Sequence, residues 1–233
     1  MTEITILAVS RISDGVCVAG ITNEGQWIRP TRPNSDDSWR QLELEDCRDL
    51  SGNWIIRKGN RVKFDLVESI PKGNHSEDWR IGSRRTRLVH ELTEEEYFEF
   101  CQKHQERSLK SLEQITDMRS LILIRPERFT SFTFRIETSR KGKRSYVPRC
   151  GFVFNGRLHL SKPISDAEWR GYGRKYLHTK QGPTVKNIFD ENKTENYWLT
   201  IGLNIVDSTV YLMVVDVHLF PIRHFDMDFK RLL

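Results

Sequence analysis

Residues 17–33 have the sequence CVAGITNEGQWIRPTRP, and they set the fold of the first half of the chain. Small and β-branched side chains up to Thr22 predict one strand, and residues 26–29 predict a second strand that Pro30 ends. The Asn-Glu-Gly sequence between them predicts a tight turn, because glycine accepts positive φ angles at little cost. With a further predicted strand over residues 3–11, these elements indicate an antiparallel meander.

Trp27 and Arg29 lie two positions apart in this stretch, so their side chains share one face of the predicted strand. An indole and a guanidinium on one face can stack on a base and bind a phosphate. Equally, Trp27 can be a core residue that anchors the first barrel beneath an arginine stem. Both hypotheses stay open at the level of the sequence.

The clearest predicted helix begins at Thr93, where Thr-Glu-Glu-Glu indicates a capping box with acidic residues in the first turn. Apolar residues then recur every three or four positions as far as Ile115, which predicts an amphipathic helix of about six turns. The helix falls near the middle of the chain, with predicted strands on both sides. We therefore expect it to bridge two β-rich domains.

Alternating and continuous apolar patterns on both sides of this helix predict further strands. The sharpest hairpin pattern is in residues 151–160 (GFVFNGRLHL), where Asn-Gly favours a two-residue type I′ turn. Residues 166–174 predict a short helix, and residues 180–193 predict a polar loop. The other predicted strands are at residues 60–69, 85–89, 121–124, 132–136, 197–203 and 209–219.

These elements predict a mostly β fold with minor α content, in which two small β-barrels are joined by an amphipathic helix. The predicted domains are a first barrel over residues 1–92, the bridging helix over residues 93–118 and a second barrel over residues 119–233. A chain of 233 residues is long enough for two such domains, each with its own hydrophobic core.

Positive charge is concentrated in residues 140–180, which we call the basic segment. It contains eleven lysine and arginine residues and two acidic residues, a net charge of +9, whereas the whole chain carries +5. The rest of the chain is therefore acidic on balance. Such an asymmetry is typical of a surface that binds a polyanion.

The four cysteines, at positions 17, 47, 101 and 150, are scattered without a Cys-x-x-Cys pair. This spacing favours reduced, buried thiols over a disulfide framework or a zinc site. No apolar run reaches the length of about 18 residues that spans a bilayer. The N-terminus also lacks the pattern of a secretory leader. We expect a cytoplasmic protein with no metal, cofactor or membrane partner.

Several stretches resemble the bacterial dual OB-fold domain family, whose members carry two oligonucleotide/oligosaccharide-binding barrels in tandem. The resemblance rests on CVAG and WIRP in residues 17–30, EDW at residues 77–79, FVFNG at residues 152–156, and LTIGL and YLMVVDV in residues 199–217. It covers nearly the whole chain and includes no catalytic motif. It implies that both barrels are OB-like and that the protein handles nucleic acid in mobile-element or antiviral defence gene clusters.

Residues 169–180 (WRGYGRKYLHTK), within the basic segment, interleave aromatic and basic side chains. Aromatic platforms beside a positive groove hold single strands with little sequence selectivity. Gly171 and Gly173 would let the backbone approach a ligand closely. The competing interpretation is a solvated basic face whose aromatic side chains fill one end of the barrel.

The hairpin over residues 151–160 is a second candidate platform. A two-residue Asn-Gly loop pairs Phe154 with Arg157. It also pairs Phe152 with His159, so all four side chains share one face. If that face is exposed, it is a stacking surface. If a longer loop shifts the register by one residue, the phenylalanines enter the core instead.

The sequence His75-Ser-Glu-Asp-Trp is the one cluster that invites a catalytic interpretation, because a histidine and two carboxylates can bind a divalent ion or exchange protons. However, neighbouring residues of a strand point to opposite faces. No nucleophile motif, phosphate-binding loop or zinc-protease motif accompanies the cluster. Turn formation and salt bridging are the simpler interpretation.

We therefore predict a non-catalytic protein that binds single-stranded RNA or DNA on a basic, aromatic-containing surface. One alternative is an interaction scaffold in a larger complex, whose basic face meets an acidic protein. Another is a metal-dependent enzyme that acts on nucleic acid at His75, Glu77 and Asp78. The predicted nucleic-acid-binding residues are Arg140, Lys141, Lys143, Arg144, Arg149, Phe152, Phe154, Arg157, Trp169, Arg170, Tyr172, Arg174, Lys175, Tyr176, Lys180, Trp27 and Arg29.

Overall fold

The computed structural model describes residues 1–12, 15–32, 41–71, 75–109, 119–138, 142, 144–174, 184–206, 209–225 and 227. The chain divides into two compact units. The first unit comprises Met1–His104 with Leu109–Leu121, and the second comprises Gln105–Ser108 with Ile122–Leu233. The predicted fold class is confirmed, because strands account for most of the regular structure in the described ranges.

The described part of the first unit contains one sheet, one α-helix and a short 3₁₀ helix at Leu44–Cys47. The strands are β1 (Thr2–Ile12), β2 (Gly15–Ile21), β3 (Trp27–Thr31), β4 (Asn60–Phe64), β5 (Leu66–Ser69), β6 (Asp78–Ile81) and β7 (Arg87–Glu91), and helix α1 covers Glu94–His104. Their order in the sheet is β5-β6-β3-β2-β1-β4-β7. Strands β3 and β6 are parallel to each other, and the other neighbours are antiparallel.

Strands β1, β2 and β3 form the predicted meander. Apolar side chains such as Ile6 and Val18 are fully buried and form the core of this unit. Gly20 is required where β2 approaches β1, because a Cβ atom there would lie 2.2 Å from the backbone oxygen of Thr5. The predicted turn between β2 and β3 is also present, with Gly25 at a φ of 93°.

The prediction that Pro30 ends the third strand is wrong, since β3 continues to Thr31. The pairing of β3 with β2 stops at Ile28. Beyond that point β3 pairs with β6, and the N–H of Arg29 donates to the carbonyl of Glu77 at 2.7 Å. Because the missing N–H of Pro30 falls where no ladder bond to β2 is made, the proline is tolerated inside the strand.

Helix α1 has the predicted start but is much shorter than predicted. The capping box is present: Thr93 N donates to Glu96 Oε2 at 2.8 Å, and Glu96 N donates to Thr93 Oγ1 at 3.2 Å. The helix ends at His104, because the next segment leaves the helical path and the N–H of Glu106 donates to the carbonyl of Leu123 at 2.7 Å. Residues 110–118, where the prediction continued the helix, lie outside the described residues.

In its described part, the region after α1 contains six strands in two three-stranded sheets and two helices. The sheet orders are β11-β10-β9 and β13-β12-β8. An aromatic cluster forms much of the core of the second unit, with Phe132 and Phe134 of β9 packed against Trp169 of α2. The elements are β8 (Leu121–Ile124), β9 (Arg128–Thr138), β10 (Arg144–Phe154), β11 (Arg157–Pro163), α2 (Ala167–Arg174), α3 (Val185–Asn192), β12 (Asn196–Val206) and β13 (Thr209–Phe220).

Helix α3 corrects the prediction of a polar loop over residues 180–193. Thr184 caps it, since the N–H of Asn187 donates to Thr184 Oγ1 at 3.1 Å. The buried side chain of Ile188 and the contact of Phe189 with Phe129, with ring centroids 5.7 Å apart, hold the helix on the unit. The helix has only eight residues, and its capping box uses asparagine at the third position, so its sequence pattern is weak.

None of the helices in the described ranges combines the length and the apolar character that crossing a membrane requires.

Candidate nucleic-acid interface

The basic segment includes β10, β11 and α2 of the second unit. Part of the predicted site is not described: the side chain of Arg144 and the residues Arg140, Lys141, Lys143, Lys175, Tyr176 and Lys180 lie outside the described part of the chain. The remaining predicted residues fall into two groups. Arg157, Arg170 and Arg174 lie at or near the surface. The others are buried aromatic residues or arginines bonded to a carboxylate: Trp27, Phe152, Phe154, Trp169, Tyr172, Arg29 and Arg149.

Helix α2 is fixed by its N-terminal cap and by its aromatic face. The N–H of Trp169 donates to Asp166 Oδ1 at 3.0 Å, and Asp166 Oδ2 accepts from the N–H of Val217 at 3.2 Å. The side chain of Trp169 is only 1% exposed, and its ring lies 5.1 Å from that of Tyr172, which is also buried. The prediction that Trp169 and Tyr172 stack on bases is therefore wrong, because neither ring has an open face.

The basic residues of α2 lie nearer the surface than its aromatic residues. Arg170 and Arg174 are half-buried, and the Arg174 guanidinium lies 5.4 Å from the centroid of the Tyr146 ring. Gly173 packs on the sheet, since a Cβ atom there would lie 2.0 Å from the ring of Phe134. The predicted role of Gly173 in approaching a ligand is thus replaced by close contact between helix and sheet, which holds Arg174 next to Tyr146.

The hairpin of β10 and β11 has the predicted turn and register. The two turn residues, Asn155 and Gly156, have φ angles of 51° and 68°, as a type I′ turn requires. Phe152 pairs with His159, and Phe154 pairs with Arg157. The predicted register is confirmed.

The face of this hairpin on which the platform was predicted is turned inward. Phe152 is 0% exposed, and its ring stacks on that of His159 with centroids 4.9 Å apart. Phe154 is also buried, whereas Leu158 on the opposite face is 52% exposed. The predicted stacking roles of Phe152 and Phe154 are therefore wrong, because both rings lie in the core even though the hairpin has the predicted register. Arg157 remains exposed at the start of β11.

Two arginines that were predicted to contact nucleic acid bond carboxylates of the protein instead. Arg149 donates to both carboxylate oxygens of Glu137, at 2.7 and 3.3 Å, and to the carbonyl of Ser161 at 2.6 Å. Arg29 donates to Asp78 Oδ1 at 2.5 Å inside the first unit. Burial works against the charge of Arg29, but its hydrogen bond to Asp78 and the neighbouring acidic groups raise the pKa of the guanidinium above its ordinary value.

Trp27 is buried in the first unit, so its predicted stacking role is wrong and its alternative role as a core anchor is correct. Its neighbour on the same face, Arg29, is likewise withdrawn from solvent by its pairing with Asp78. The face of β3 that carries both side chains is thus part of the interior. Burial also raises the pKa of the nearby Cys17 thiol.

The His75 cluster forms an internal network rather than an open site. Ser120 Oγ bonds both His75 Nδ1, at 2.8 Å, and Glu77 Oε1, while the N–H of Ser120 donates to Glu77 Oε2 at 3.3 Å. Burial raises the pKa of Glu77, but the hydrogen bonds from His75 and Ser120 and the charge of Arg29 outweigh it and lower that pKa. Asp78 is occupied by Arg29. In the described part, no three His, Cys, Asp or Glu residues are grouped so that they could hold a metal ion.

The structure also brings together arginines that the sequence analysis did not select. Arg84, Arg85 and Arg87 lie beside residues 49–51 and line a cavity of about 590 Å³ in the first unit. We call this cavity the arginine groove. Residues 80–87 contain four arginines and no acidic residue, and this local excess could have indicated the groove. The net charge of −4 on the chain outside the basic segment conceals this local excess.

Comparison with known proteins identifies one family. A family model described as "Dual OB-containing domain" matches residues 2–217. No curated protein matches the chain, and no solved structure does.

Proposed function

The chain belongs to the dual OB-containing domain family, and on that premise we propose that it binds single-stranded nucleic acid through the basic segment of its second unit. OB barrels bind oligonucleotides or oligosaccharides, and a polyanion is the ligand that complements excess positive charge. The observation that carries the proposal is the net charge of +9 over residues 140–180 of an OB-family chain whose total charge is +5.

The packing of α2 and the hairpin sets the character of the proposed binding surface. Their aromatic side chains fill the core, and the basic side chains of Arg157, Lys162, Arg170 and Arg174 lie at or near the surface. The resulting surface is an electrostatic one, suited to phosphates, and the described residues supply no aromatic platform to it. We therefore expect weak base preference and strong dependence on salt.

A binding assay with a matched control tests the proposal. Fluorescence polarisation of a labelled single-stranded oligonucleotide should report binding by the wild-type chain at low salt. The Arg157→Glu/Arg174→Glu variant should weaken it at least tenfold, since two attractive contacts become repulsive. Lys186→Glu/Arg223→Glu makes the same change in charge at exposed positions of the second unit outside the basic segment, and should have little effect. Absence of wild-type binding at low salt would overturn the proposal.

We propose that the protein has no catalytic step of its own, since Glu77 and Asp78 are already bonded to Ser120 and Arg29. Incubation of nucleic acid with the protein and magnesium or manganese should leave the substrate intact. Cleavage that disappears in Glu77→Gln would overturn this part of the proposal. A cytoplasmic role in a defence or mobile-element system is also part of the proposal, and the genes neighbouring this one would test it.

A further inference from the structure

We propose that the arginine groove of the first unit is a binding site for the phosphates of a nucleotide. It is a site of its own, with residues separate from the basic segment, and it would bind a nucleotide even if the second unit bound no strand.

The groove has the dimensions of a small-ligand site. Its cavity of about 590 Å³ is lined by Asp49, Leu50 and Ser51 on one loop and by residues 84–88, which lead from a second loop into the start of β7. A smaller cavity of about 210 Å³ shares Arg84, Arg85 and Thr86 with it, and so adjoins it. Pockets that bind molecules of nucleotide size commonly measure about 300–1,000 Å³.

The lining of the groove carries more positive than negative charge, with three arginines and one carboxylate, that of Asp49. In the described ranges, no carboxylate is bonded to the side chains of Arg84, Arg85 or Arg87, and all three residues are exposed. Asp49 accepts hydrogen bonds at 2.8 Å from the N–H groups of Ser51 and Asn53, which hold its carboxylate within its own turn. Two carboxylates line the adjoining cavity: Asp46 accepts two bonds from Arg32, at 2.5 and 2.7 Å, and Glu45 is exposed.

Residues 82–84, which lead into the arginines of the groove, are held in place by hydrogen bonds to Asp65. The N–H of Gly82 donates to the carbonyl of Asp65 at 2.6 Å, and the N–H of Arg84 donates to Asp65 Oδ2 at 3.2 Å. A Cβ atom on Gly82 would lie 2.4 Å from Asp65 Oδ2, so a side chain there would displace the carboxylate that accepts from Arg84. Thr86 is buried between exposed arginines. A loop fixed in this way loses little entropy when a ligand binds.

The chemistry of the lining matches a phosphorylated nucleotide. Guanidinium groups bind phosphate oxygens through paired N–H donors, and three of them offset much of the negative charge of a di- or triphosphate. Leu50 is 85% exposed at the tip of its loop, and Leu88 is 38% exposed. Apolar side chains next to a cluster of cations would be poorly placed for inorganic phosphate alone, but they can cover a base or a sugar.

Two sources could supply this chemistry: a free nucleotide and the 5′-phosphorylated end of a strand. The experiment titrates the full chain with a fluorescent nucleoside triphosphate and, separately, with the same short oligonucleotide bearing a 5′-phosphate or a 5′-hydroxyl. Tighter binding of the phosphorylated oligonucleotide, lost on mutating the groove, would assign the site to strand ends. Groove-dependent binding of the triphosphate, with no difference between the two oligonucleotides, would assign it to free nucleotides. Either result supports the proposal.

Variants of the groove decide whether the site is real. Arg84→Gln/Arg85→Gln/Arg87→Gln should weaken nucleotide binding at least about 30-fold, because charge-assisted bonds to phosphate are lost. Leu50→Glu, a single change at an exposed position, should weaken it by repelling the phosphates. Arg80→Gln removes a nearby arginine that is bonded to Glu68 at 2.8 Å, and should change binding less than about twofold.

The outcomes for the groove and for the basic segment are separable. If the wild-type chain binds no nucleotide and no 5′-phosphorylated end, or if the groove variants bind both as well as wild type does, the groove proposal is overturned, whatever the 5′-hydroxyl strand does. If the nucleotide binds but the 5′-hydroxyl strand does not, the groove stands and the proposed function of the second unit fails. Unchanged melting temperatures of the variants would show that lost binding is not lost folding.

Discussion

The two units carry positive charge in different ways. In the first unit, three arginines at the start of β7 and in the loop before it line a cavity, although the chain outside the basic segment is acidic on balance. In the second unit, the charge is spread over 41 residues, and the described aromatic side chains of that segment are buried. The density of charge in a sequence and the presence of a formed site are therefore separate properties. The first is visible by counting, and the second depends on how loops pack.

Both units bury carboxylates, but they hold them in different ways. In the first unit, Asp78 is paired with Arg29, and Glu77 is bonded to Ser120. In the second unit, the buried Asp166 accepts from backbone N–H groups, beside a core that is rich in aromatic rings such as that of Trp169. Substituting Glu77 should therefore change how stability depends on pH, whereas substituting the aromatic residues of the second unit should act through lost packing.

The largest effect should come from the hairpin of the second unit. Phe152→Ala should lower the free energy of unfolding by about 4 kcal/mol, because a fully buried ring is replaced by a cavity. Leu158→Ala, on the opposite face of the same hairpin, should change it by no more than about 0.5 kcal/mol. Urea unfolding followed by tryptophan fluorescence measures both. Equal effects of the two variants would contradict the assignment of the inward face.

The second-largest effect on the free energy of unfolding should come from the buried charges of the first unit. Glu77→Gln should lower the free energy of unfolding at pH 7 by about 3 kcal/mol, because Arg29 loses part of its compensation and Ser120 loses a carboxylate acceptor. Glu68→Gln is the matched control: Glu68 is exposed and its bond to Arg80 should contribute no more than about 1 kcal/mol. Denaturant unfolding of the two variants provides the comparison.

The same carboxylate predicts the direction of the pH dependence. The pKa of Glu77 in the folded protein lies below its usual value of 4.5, so its contribution to stability is complete above that pH. The contribution is then lost as the pH falls through the lowered pKa. Wild type should lose more stability than Glu77→Gln does when the pH is reduced from 5 to 3. Parallel losses in both proteins would contradict the role assigned to this group.

The smallest effect should be at the helix that the sequence pattern did not reveal. Thr184→Ala removes the hydroxyl that caps α3 and should cost about 1 kcal/mol. Lys186→Ala, at an exposed position of the same helix, should be close to neutral. Thermal unfolding of the two variants checks the cap. A neutral Thr184→Ala would indicate that the packing of Ile188 alone holds the helix.

The strands and turns could be predicted because their causes are local. Asn155-Gly156 selects one turn type and so one register, and residues 93–96 indicate the start of α1. The predictions that were wrong concern features that are set by residues distant in the sequence. The alternation of Phe152 and Val153 does not say which face is inward, since the answer lies in the elements packed against it. Helix α1 ends earlier than predicted because the N–H of Glu106 donates to the carbonyl of Leu123 and not to a carbonyl of the helix.

The candidate sites followed the same division. The basic segment was found by counting charge, which needs no structure. The arginine groove joins two segments that are about 35 positions apart in the sequence, residues 49–51 and 84–88, so no single stretch reveals it. The burial of Arg29 likewise depends on Asp78, which a single stretch of sequence cannot place beside it.

The most direct test of the central claim is the salt dependence of binding to a single-stranded oligonucleotide. If the basic segment contacts phosphates, the logarithm of the association constant should fall linearly with the logarithm of salt concentration, by about 0.7 per phosphate contact. Arg157→Glu/Arg174→Glu should make this slope shallower by about 1.4, whereas Lys186→Glu/Arg223→Glu should leave it unchanged. A wild-type slope near zero, or equal slopes in all three proteins, would contradict the account.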